Sequence, residues 1–440
     1  MRGLRPSLRA GPLAVRSFRL LAGGQFASTV GDYCYAVALP WLVLSAHGGA
    51  ILLGTVLACY GVPRTVLIPA GGVLADTVGP RTLMLAADAV RCVLVAGLAL
   101  LAARHTASLA GLGPIAALIG AGEGLFIPAS YAIMPSLLDA EQLAAGNALS
   151  TAAVQAGSLL GPALGGALVA ATRASTGAFA VDAASFGVSA LTLLLIAPRP
   201  ASGSGDGARA EGPAGAGRGG GVLALLRRSR ALQVILLVVI AANLASGGMG
   251  GVALPSLAHA RYGAAGYGAL LACLAAGGVA GTLAAARTGR LRTPLRFASA
   301  AFLGQATATA LIPYLGGEAG AAAALCAAGV CNGLGNVATL TVLQKWVPPG
   351  LLGRVMGTVM LCAFGSFPLS VAVSGVLVRD LGPTPFFPVA GGLIAAAILG
   401  GLTQREFREF GARAADQAAA KAAADPKAAD DPKAAEGSRK

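Results

Sequence analysis

The sequence predicts an all-α membrane protein, with twelve transmembrane helices in two pseudo-symmetric six-helix bundles. Three observations carry that expectation. Hydrophobic residues make up 56% of the chain and charged residues only 11%, where a soluble domain would carry roughly 25% charged residues; the mean hydropathy is +0.74. The apolar residues gather into runs of about 20 residues or more, enough to cross a hydrocarbon layer of ~30 Å. The runs also repeat. Val37-Ala38-Leu39-Pro40 closes the first run and Val252-Ala253-Leu254-Pro255 the seventh, while Pro135 closes the fourth and Pro348 the tenth. The two offsets are nearly equal, as expected of parallel halves related by an axis along the membrane normal.

Taken in order, residues 1–17 form a basic leader with Arg2, Arg5, Arg9 and Arg16. The first bundle occupies 18–196, with spans at 18–44, 51–74, 82–102, 109–133, 144–170 and 174–196. Its breaks are polar, glycine-containing or charged: the turn from Ser45 to Ala50, the turn from Ala75 to Arg81, Arg104 with His105, Met134-Pro135, and a connector bearing Asp139 and Glu141. The stretch 197–231 is rich in Gly, Ala, Ser and Arg and reads as a flexible cytoplasmic linker. The second bundle occupies 232–402, with spans at 232–257, 264–286, 297–315, 319–342, 355–377 and 384–402. The tail, 403–440, is polar and of low complexity, with Asp-Pro-Lys-Ala-Ala at Asp425 and again at Asp431; disorder is expected there. The leader and the first apolar run mimic a signal peptide, but that run is too long, and it is read as an uncleaved first helix.

The net charge of +14 does not indicate nucleic acid, because the basic residues fall in short loops between apolar runs. Loop Lys and Arg report orientation instead. With both termini cytoplasmic, only Arg104, Arg173, Arg261 and Arg379 fall outside, so both ends are placed inside. Trp41 and Trp346 lie near span ends and read as interface anchors. The seven cysteines lie within apolar runs, without a C-x-x-C or a histidine cluster. They read as small buried residues, and neither a disulfide framework nor a metal site is expected. No P-loop, H-E-x-x-H or G-x-S-x-G is present, so neither an enzyme nor a cofactor is expected.

Two groups of residues stand out within the spans. The first is Gly157 to Gly166, GSLLGPALGG. Gly157, Gly161 and Gly165 lie on one helix face and admit a close neighbour; Gly166 extends that smooth surface, and Pro162 bends the helix. The second is a set of in-span charges, all in the first half: Asp32, Arg64, Asp88, Arg91, Glu123 and Asp182. Each costs about 2.5–3.5 kcal/mol at mid-helix, so each needs a role or a partner. Asp88 and Arg91 are three apart and pair with each other or with the adjacent loop. Asp182 lies nearer the outer surface and is ambiguous. Asp32, Arg64 and Glu123 lie near the midplane, where a desolvated carboxylate can take up and release a proton and an adjacent arginine opposes that. A buried ion pair that only fixes helix packing is the alternative. The second half offers Asn332 and Asn336, four apart on one face, for substrate hydrogen bonds or for interhelical ones.

The decapeptide resembles the antiporter motif in the fifth helix of major facilitator superfamily exporters. A second stretch, Gly72-Val-Leu-Ala-Asp76-Thr77-Val-Gly79-Pro-Arg81, is similar to that superfamily's loop signature between helices two and three. Asp76, Gly79 and Arg81 match, while Thr77 and Thr82 stand where basic residues are usual. Gly31-Asp32, Phe126 through Pro135, Gly146-Asn147 and Val347 through Arg354 resemble the branch of enterobactin exporters and macrolide efflux proteins. The resemblance covers residues 15–405.

The resemblance implies a major facilitator fold with helices one and four of each half around a central cavity, and hence Asp32 and Glu123 beside it. It implies a conformational latch in which Asp76 caps the eleventh helix, with Arg81 as a second contact. It implies a bacterial inner-membrane exporter that exchanges a drug, antibiotic, siderophore or other secondary metabolite for protons by alternating access, and that is monomeric. A proton-independent facilitator, a lipid-moving protein of the same fold and a non-transporting receptor remain the alternatives.

Overall fold

The computed structural model describes residues 11–104, 108–196, 229–285, 294–347 and 349–404. Of the expected leader (1–17), linker (197–231) and tail (403–440), residues 1–10, 197–228 and 405 onward lie outside the described residues, as does Pro348; the last residues assigned to the linker instead open a helix at Arg230.

Twelve long helices occupy the described residues. In the first half these are α1 (Arg16–Ser45), α2 (Gly49–Val78), α3 (Pro80–Ala103), α4 (Leu109–Ala132), α5 (Ala140–Thr172) and α6 (Thr176–Leu195). In the second half α7 is built from Arg230–Gly248 and Leu254–Arg261, joined by one π-helical turn at Met249–Ala253. It is followed by α8 (Gly263–Ala285), α9 (Pro294–Leu311), α10 (Gly317–Trp346), α11 (Pro349–Leu381) and α12 (Pro383–Thr403). Ten of them are long and apolar enough to cross a membrane; α1 and α9 fall outside that criterion. Several helices extend beyond their apolar runs: α5 begins at Ala140 rather than 144, and α11 covers 349–381 rather than 355–377. Hydropathy marks the hydrocarbon crossing, whereas backbone hydrogen bonding continues into the headgroup region.

Large apolar side chains on outer faces are bare, among them Val93, Leu100, Leu237 and Leu283. In water such an array would be unstable; against acyl chains it is the solvated state. Within the first half, α2 packs on α4, α1 on α5 and α6, and α3 on α4 and α6. The second half repeats the scheme, with α8 on α10, α7 on α11 and α12, and α9 on α10 and α12. The equivalent pairs α2–α4 and α8–α10 meet backbone to backbone. A Cβ on Gly124 would lie 2.5 Å from the Arg64 carbonyl oxygen, and one on Gly333 2.5 Å from that of Gly278. Such distances are below any real contact, so only glycine permits these crossings.

The halves touch through α2 against α11 and α5 against α8. These contacts cluster at one end. Gly375 of α11 packs on Ala50 of α2, Gly61 on Phe367 and Pro368, and Gly166 of α5 on Ala264 and Gly268 of α8. At the same end the Trp41 and His259 rings stack at 4.8 Å, and Ser45 Oγ lies 3.4 Å from His259 Nε2. Toward the other end, which carries the chain start and the Gly79 turn, Val66 and Val73 of α2 and Met360 and Leu361 of α11 are more than half exposed. The bundles are closed at the loop end of α1 and part toward the end of the termini.

Candidate functional site

Where the bundles begin to part, α2 carries Tyr60 and Arg64. These are four apart and therefore share a face. The Arg64 guanidinium lies 3.1 Å from a Glu123 carboxylate oxygen on α4, and the Tyr60 hydroxyl donates to the other oxygen of that carboxylate. Gly120 and Gly124 place α4 close enough for this, since they face the Tyr60 and Arg64 backbones directly. The same two side chains reach the second bundle. Arg64 lies over the Phe364 ring at 4.9 Å, Tyr60 meets Phe367 edge-on at 6.4 Å, and the Thr65 hydroxyl donates to the Phe364 carbonyl at 3.2 Å. The Glu123 ion pair thus sits directly behind the seam between α2 and α11.

A second ion pair lies deeper. Arg91 Nη2 is 2.5 Å from Asp88 Oδ1, and both residues are almost fully buried. The other Asp88 oxygen accepts from Ser189 of α6 at 2.6 Å. The Arg91 guanidinium is sandwiched between Phe126 at 4.7 Å and Phe186 at 4.3 Å. Cation–π contact on both faces of a planar guanidinium offsets part of its desolvation. Of the two partners open to Asp88 and Arg91 from sequence, each other and the adjacent loop, the structure selects each other and adds Ser189.

Asp32 is half-buried on α1. Its charged surroundings are Arg91, Glu123, Asp88 and Arg64, with Asp182 of α6, yet it takes no hydrogen bond or ion pair among the described residues. Both arginines are already engaged. Glu123 and Arg64, expected as neighbours of the cavity, therefore form a direct pair, and Asp32 stands apart from it.

Asn332 and Asn336 do share a face of α10, and they bond to each other. Asn336 Nδ2 donates to Asn332 Oδ1 at 2.9 Å, and Asn332 Nδ2 donates to Gln305 Oε1 of α9 at 3.2 Å. Asn332 is half-buried and Asn336 exposed. Interhelical bonding claims Asn332, while Asn336 keeps acceptor capacity toward the open side.

The glycine decapeptide finds two partners. Gly157, Gly161 and Gly165 face α1 at Thr29, Val30 with Tyr33, and Cys34. Cys34 Sγ donates to the Gly161 carbonyl at 3.4 Å. Gly166 turns to the other bundle, where a Cβ on it would lie 2.9 Å from the Cα of Gly268 of α8. Pro162 lies inside α5 without ending it, and a Cβ on Gly268 would strike its carbonyl.

In the loop signature, Gly79 has φ +85°, a left-handed conformation that favours glycine. It caps α3 and lets the chain reverse between α2 and α3. Arg81 donates to the Leu193 and Leu194 carbonyls at 2.7 and 2.9 Å. It therefore closes the C-terminal end of α6 within its own bundle. Asp76 and Gly72 lie on the parted side, with Asp76 exposed. Among the described residues no group of His, Cys, Asp or Glu is arranged to hold a metal ion.

Tyr60, Phe364, Phe367 and Ser189 were not singled out from the sequence. Tyr60 alone carried a signal, its spacing of four from Arg64.

Comparison with known proteins matches residues 21–370 to the family described as Major Facilitator Superfamily. An uncharacterised MFS-type transporter, YfiS, of Bacillus subtilis (strain 168) is 27% identical over 385 residues, covering 85% of this chain and 89% of that protein. A putative multidrug resistance protein, MdtD, of Yersinia pseudotuberculosis is 29% identical over 150 residues, covering 34% of this chain and 31% of its own length. Among solved structures, a variant of the nucleoside transporter NupG aligns with TM-score 0.68 at 12% identity, over 88% of this chain and 99% of that one. A bacterial homologue of the iron transporter ferroportin, in an inward-facing state, aligns with TM-score 0.65 at 18% identity, over 91% and 99%.

Proposed function

The chain belongs to the major facilitator superfamily of multi-pass membrane transporters, and from that premise we propose that it exports a small molecule in exchange for protons by alternating access. The observation that carries this reading is the unpaired, half-buried Asp32 at the depth where the two bundles part. A carboxylate there exchanges its proton with whichever side is open, so occupancy and conformation bias each other. Asp32 is the proton carrier in this proposal. Glu123, engaged by Arg64 and Tyr60, instead sets the seam with Phe364 and Phe367, which makes it a substrate-responsive contact. Asn336 and Asn332 supply hydrogen bonds from the opposite bundle.

Positive-inside loops support a cytoplasmic location for both termini at the bacterial inner membrane; with that orientation the arrangement described above faces inward. In the outward state Asp76 meets the start of α11 and latches the cytoplasmic end. The resemblance to enterobactin exporters and macrolide efflux proteins, together with the MdtD relatives, supports export of a drug-like or secondary-metabolite cargo by a monomer. The excess of carboxylates over arginines within the first bundle's spans, four against two, favours cationic members of that class. Neither catalysis nor a cofactor is part of this reading.

The test is uptake of ethidium and a panel of cationic antibiotics into acid-inside proteoliposomes. Uptake that collapses with the pH gradient is the expected result. Counterflow indifferent to the gradient would favour a facilitator, the reading supported by Glu123's engagement with Arg64. No flux of either kind across the panel would sink export of cationic compounds.

A further inference from the structure

The first bundle's spans hold four carboxylates, Asp32, Asp88, Glu123 and Asp182, and two arginines, Arg64 and Arg91. Asp88 is matched by Arg91 and Ser189, and Glu123 by Arg64 and Tyr60. Asp32 and Asp182 are left over. They differ in setting: Asp32 is half-buried, whereas Asp182 is 1% exposed.

Asp182 sits at the antiparallel crossing of α6 with α1. The crossing is ordered. Gly24 of α1 lies against Ser189 and Thr192, Gly31 against Ser185 and Asp182, and Tyr35 against Phe179, their rings 5.8 Å apart. A Cβ on Gly31 would lie 2.6 Å from Asp182 Oδ1, so glycine at that position makes room for the carboxyl. Asp182 Oδ1 nevertheless has no hydrogen-bond partner, and neither does the buried Tyr35 hydroxyl one turn along α1. The Ser185 hydroxyl, the donor nearest the carboxyl, donates to the Asp182 backbone carbonyl at 2.7 Å and lies close enough to turn to the carboxyl instead. The ionisable groups that act electrostatically on Asp182 or feel its charge are Asp32, Tyr35 and Cys34 of α1, Arg91 of α3 and Glu123 of α4, and Asp88 stands behind Arg91. Arg91, the cation among them, is committed to Asp88.

A second anion one residue along α1 from Gly31 makes ionisation at this crossing costlier still. An isolated ionised carboxylate in a low-dielectric interior is far more costly than the neutral acid, and such groups neutralise rather than remain charged. A carboxyl O–H also needs fewer acceptors than a carboxylate needs donors. We propose that Asp182 is a proton-binding site of this transporter, a buried second carboxyl that with Asp32 on the facing helix forms a two-carboxylate proton store behind the cavity. The proton adds to the Asp182 carboxylate to give the carboxylic acid, and it is exchanged through Asp32, the less buried of the two. The use of this store in transport rests on the antiport reading above; its existence does not.

Infrared difference spectroscopy of the full-length protein in lipid nanodiscs, titrated from acid to alkaline pH, reads the C=O stretch of protonated carboxyls directly. The wild type is expected to show such a band at neutral pH, and Asp182→Asn to lose the component that Asp32→Asn retains. Asp32→Asn should move its titration midpoint to lower pH, because a neighbouring negative charge is gone. That component surviving in Asp182→Asn, or no protonated carboxyl at neutral pH in the wild type, overturns the proposal. If Asp182→Asn yields no monodisperse protein, Asp32→Asn decides: a shifted midpoint supports the store, and an unchanged one overturns it. Stoichiometric Mn²⁺ or Ca²⁺ binding that removes the band would overturn it in favour of a cation site. Parallel ethidium flux separates the two claims. A band lost in Asp182→Asn without any pH-driven flux in the wild type leaves the proton site standing and removes only the antiport.

Discussion

The two bundles share a packing scheme and differ in their chemistry. In each, the equivalent helix pair, α2–α4 or α8–α10, crosses through glycines whose Cα atoms sit on the partner's backbone. Across that common frame the first bundle holds two ion pairs and two further carboxylates. The described spans of the second hold amides in their interior, with Gln305, Asn332 and Asn336 in one hydrogen-bonded chain. The difference teaches that close packing needs no charge. Charges that cost several kcal/mol each are therefore not required by the shared packing scheme, and they are concentrated in the first bundle.

The largest expected effect comes from breaking the deeper ion pair. Arg91→Met leaves Asp88 buried with Ser189 as its remaining partner, and removing one member of a buried pair costs about 3–5 kcal/mol. Thermal unfolding in detergent should show a severely destabilised or unrecoverable protein. A variant of wild-type stability would mean that the pair is not what holds α3 against α6.

The shared glycine frame comes next. Gly124→Val in the first bundle and Gly281→Val in the second each thrust a side chain into a partner's backbone, at Arg64 and at Val330 respectively. Overpacking of this kind costs about 1–3 kcal/mol or more. Comparable losses of melting temperature are expected on the two sides. A tolerated change on one side alone would break the claim that the scaffold is common to both.

Glu123→Gln and Asp32→Asn sharpen the contrast within the first bundle. The former removes a charged hydrogen-bond partner from Arg64 and should cost on the order of 1–3 kcal/mol, with substrate affinity changed because Arg64 and Tyr60 carry the α11 seam. The latter breaks no bond and should leave the melting temperature near wild type. Its pH-driven ethidium flux should fall to the level seen without a gradient. Equal flux defects with equal stability losses would erase the distinction between a pinned and a free carboxylate.

The smallest effect is expected in the second bundle. Asn332→Ala removes one interhelical hydrogen bond, worth roughly 0.6 kcal/mol in a membrane protein. Stability should barely move, and any loss of transport should appear as weaker substrate binding with the pH dependence intact. A lost pH dependence would place coupling chemistry in both bundles and end the asymmetry.

The sequence by itself determined the helical spans, their number and the family. Those properties rest on local sums: the transfer free energy of about 20 consecutive side chains selects a span wherever it lies, and two motifs carried the resemblance. Local spacing also narrowed one contact, since Asp88 and Arg91 at i and i+3 can meet on a single helix.

Tertiary structure decided the rest, because a helix's partner depends on its rotation and crossing with helices far away in the chain. Gly157, Gly161 and Gly165 could be read as a close-packing face; that the face belongs to α1, while Gly166 belongs to α8, could not. Arg64 could be placed at the right depth, but its choice of Glu123 over Asp32 follows from the α2–α4 crossing at Gly124. Arg81 matches a loop signature, yet its reach to the end of α6 is a matter of how α3 lies against that helix. Asp182 remained ambiguous from its position in the chain, because depth along a span says nothing about whether a partner stands opposite. Only the α1–α6 crossing, with Gly31 against the carboxyl and the Ser185 hydroxyl turned to the backbone, left Asp182 Oδ1 without a partner.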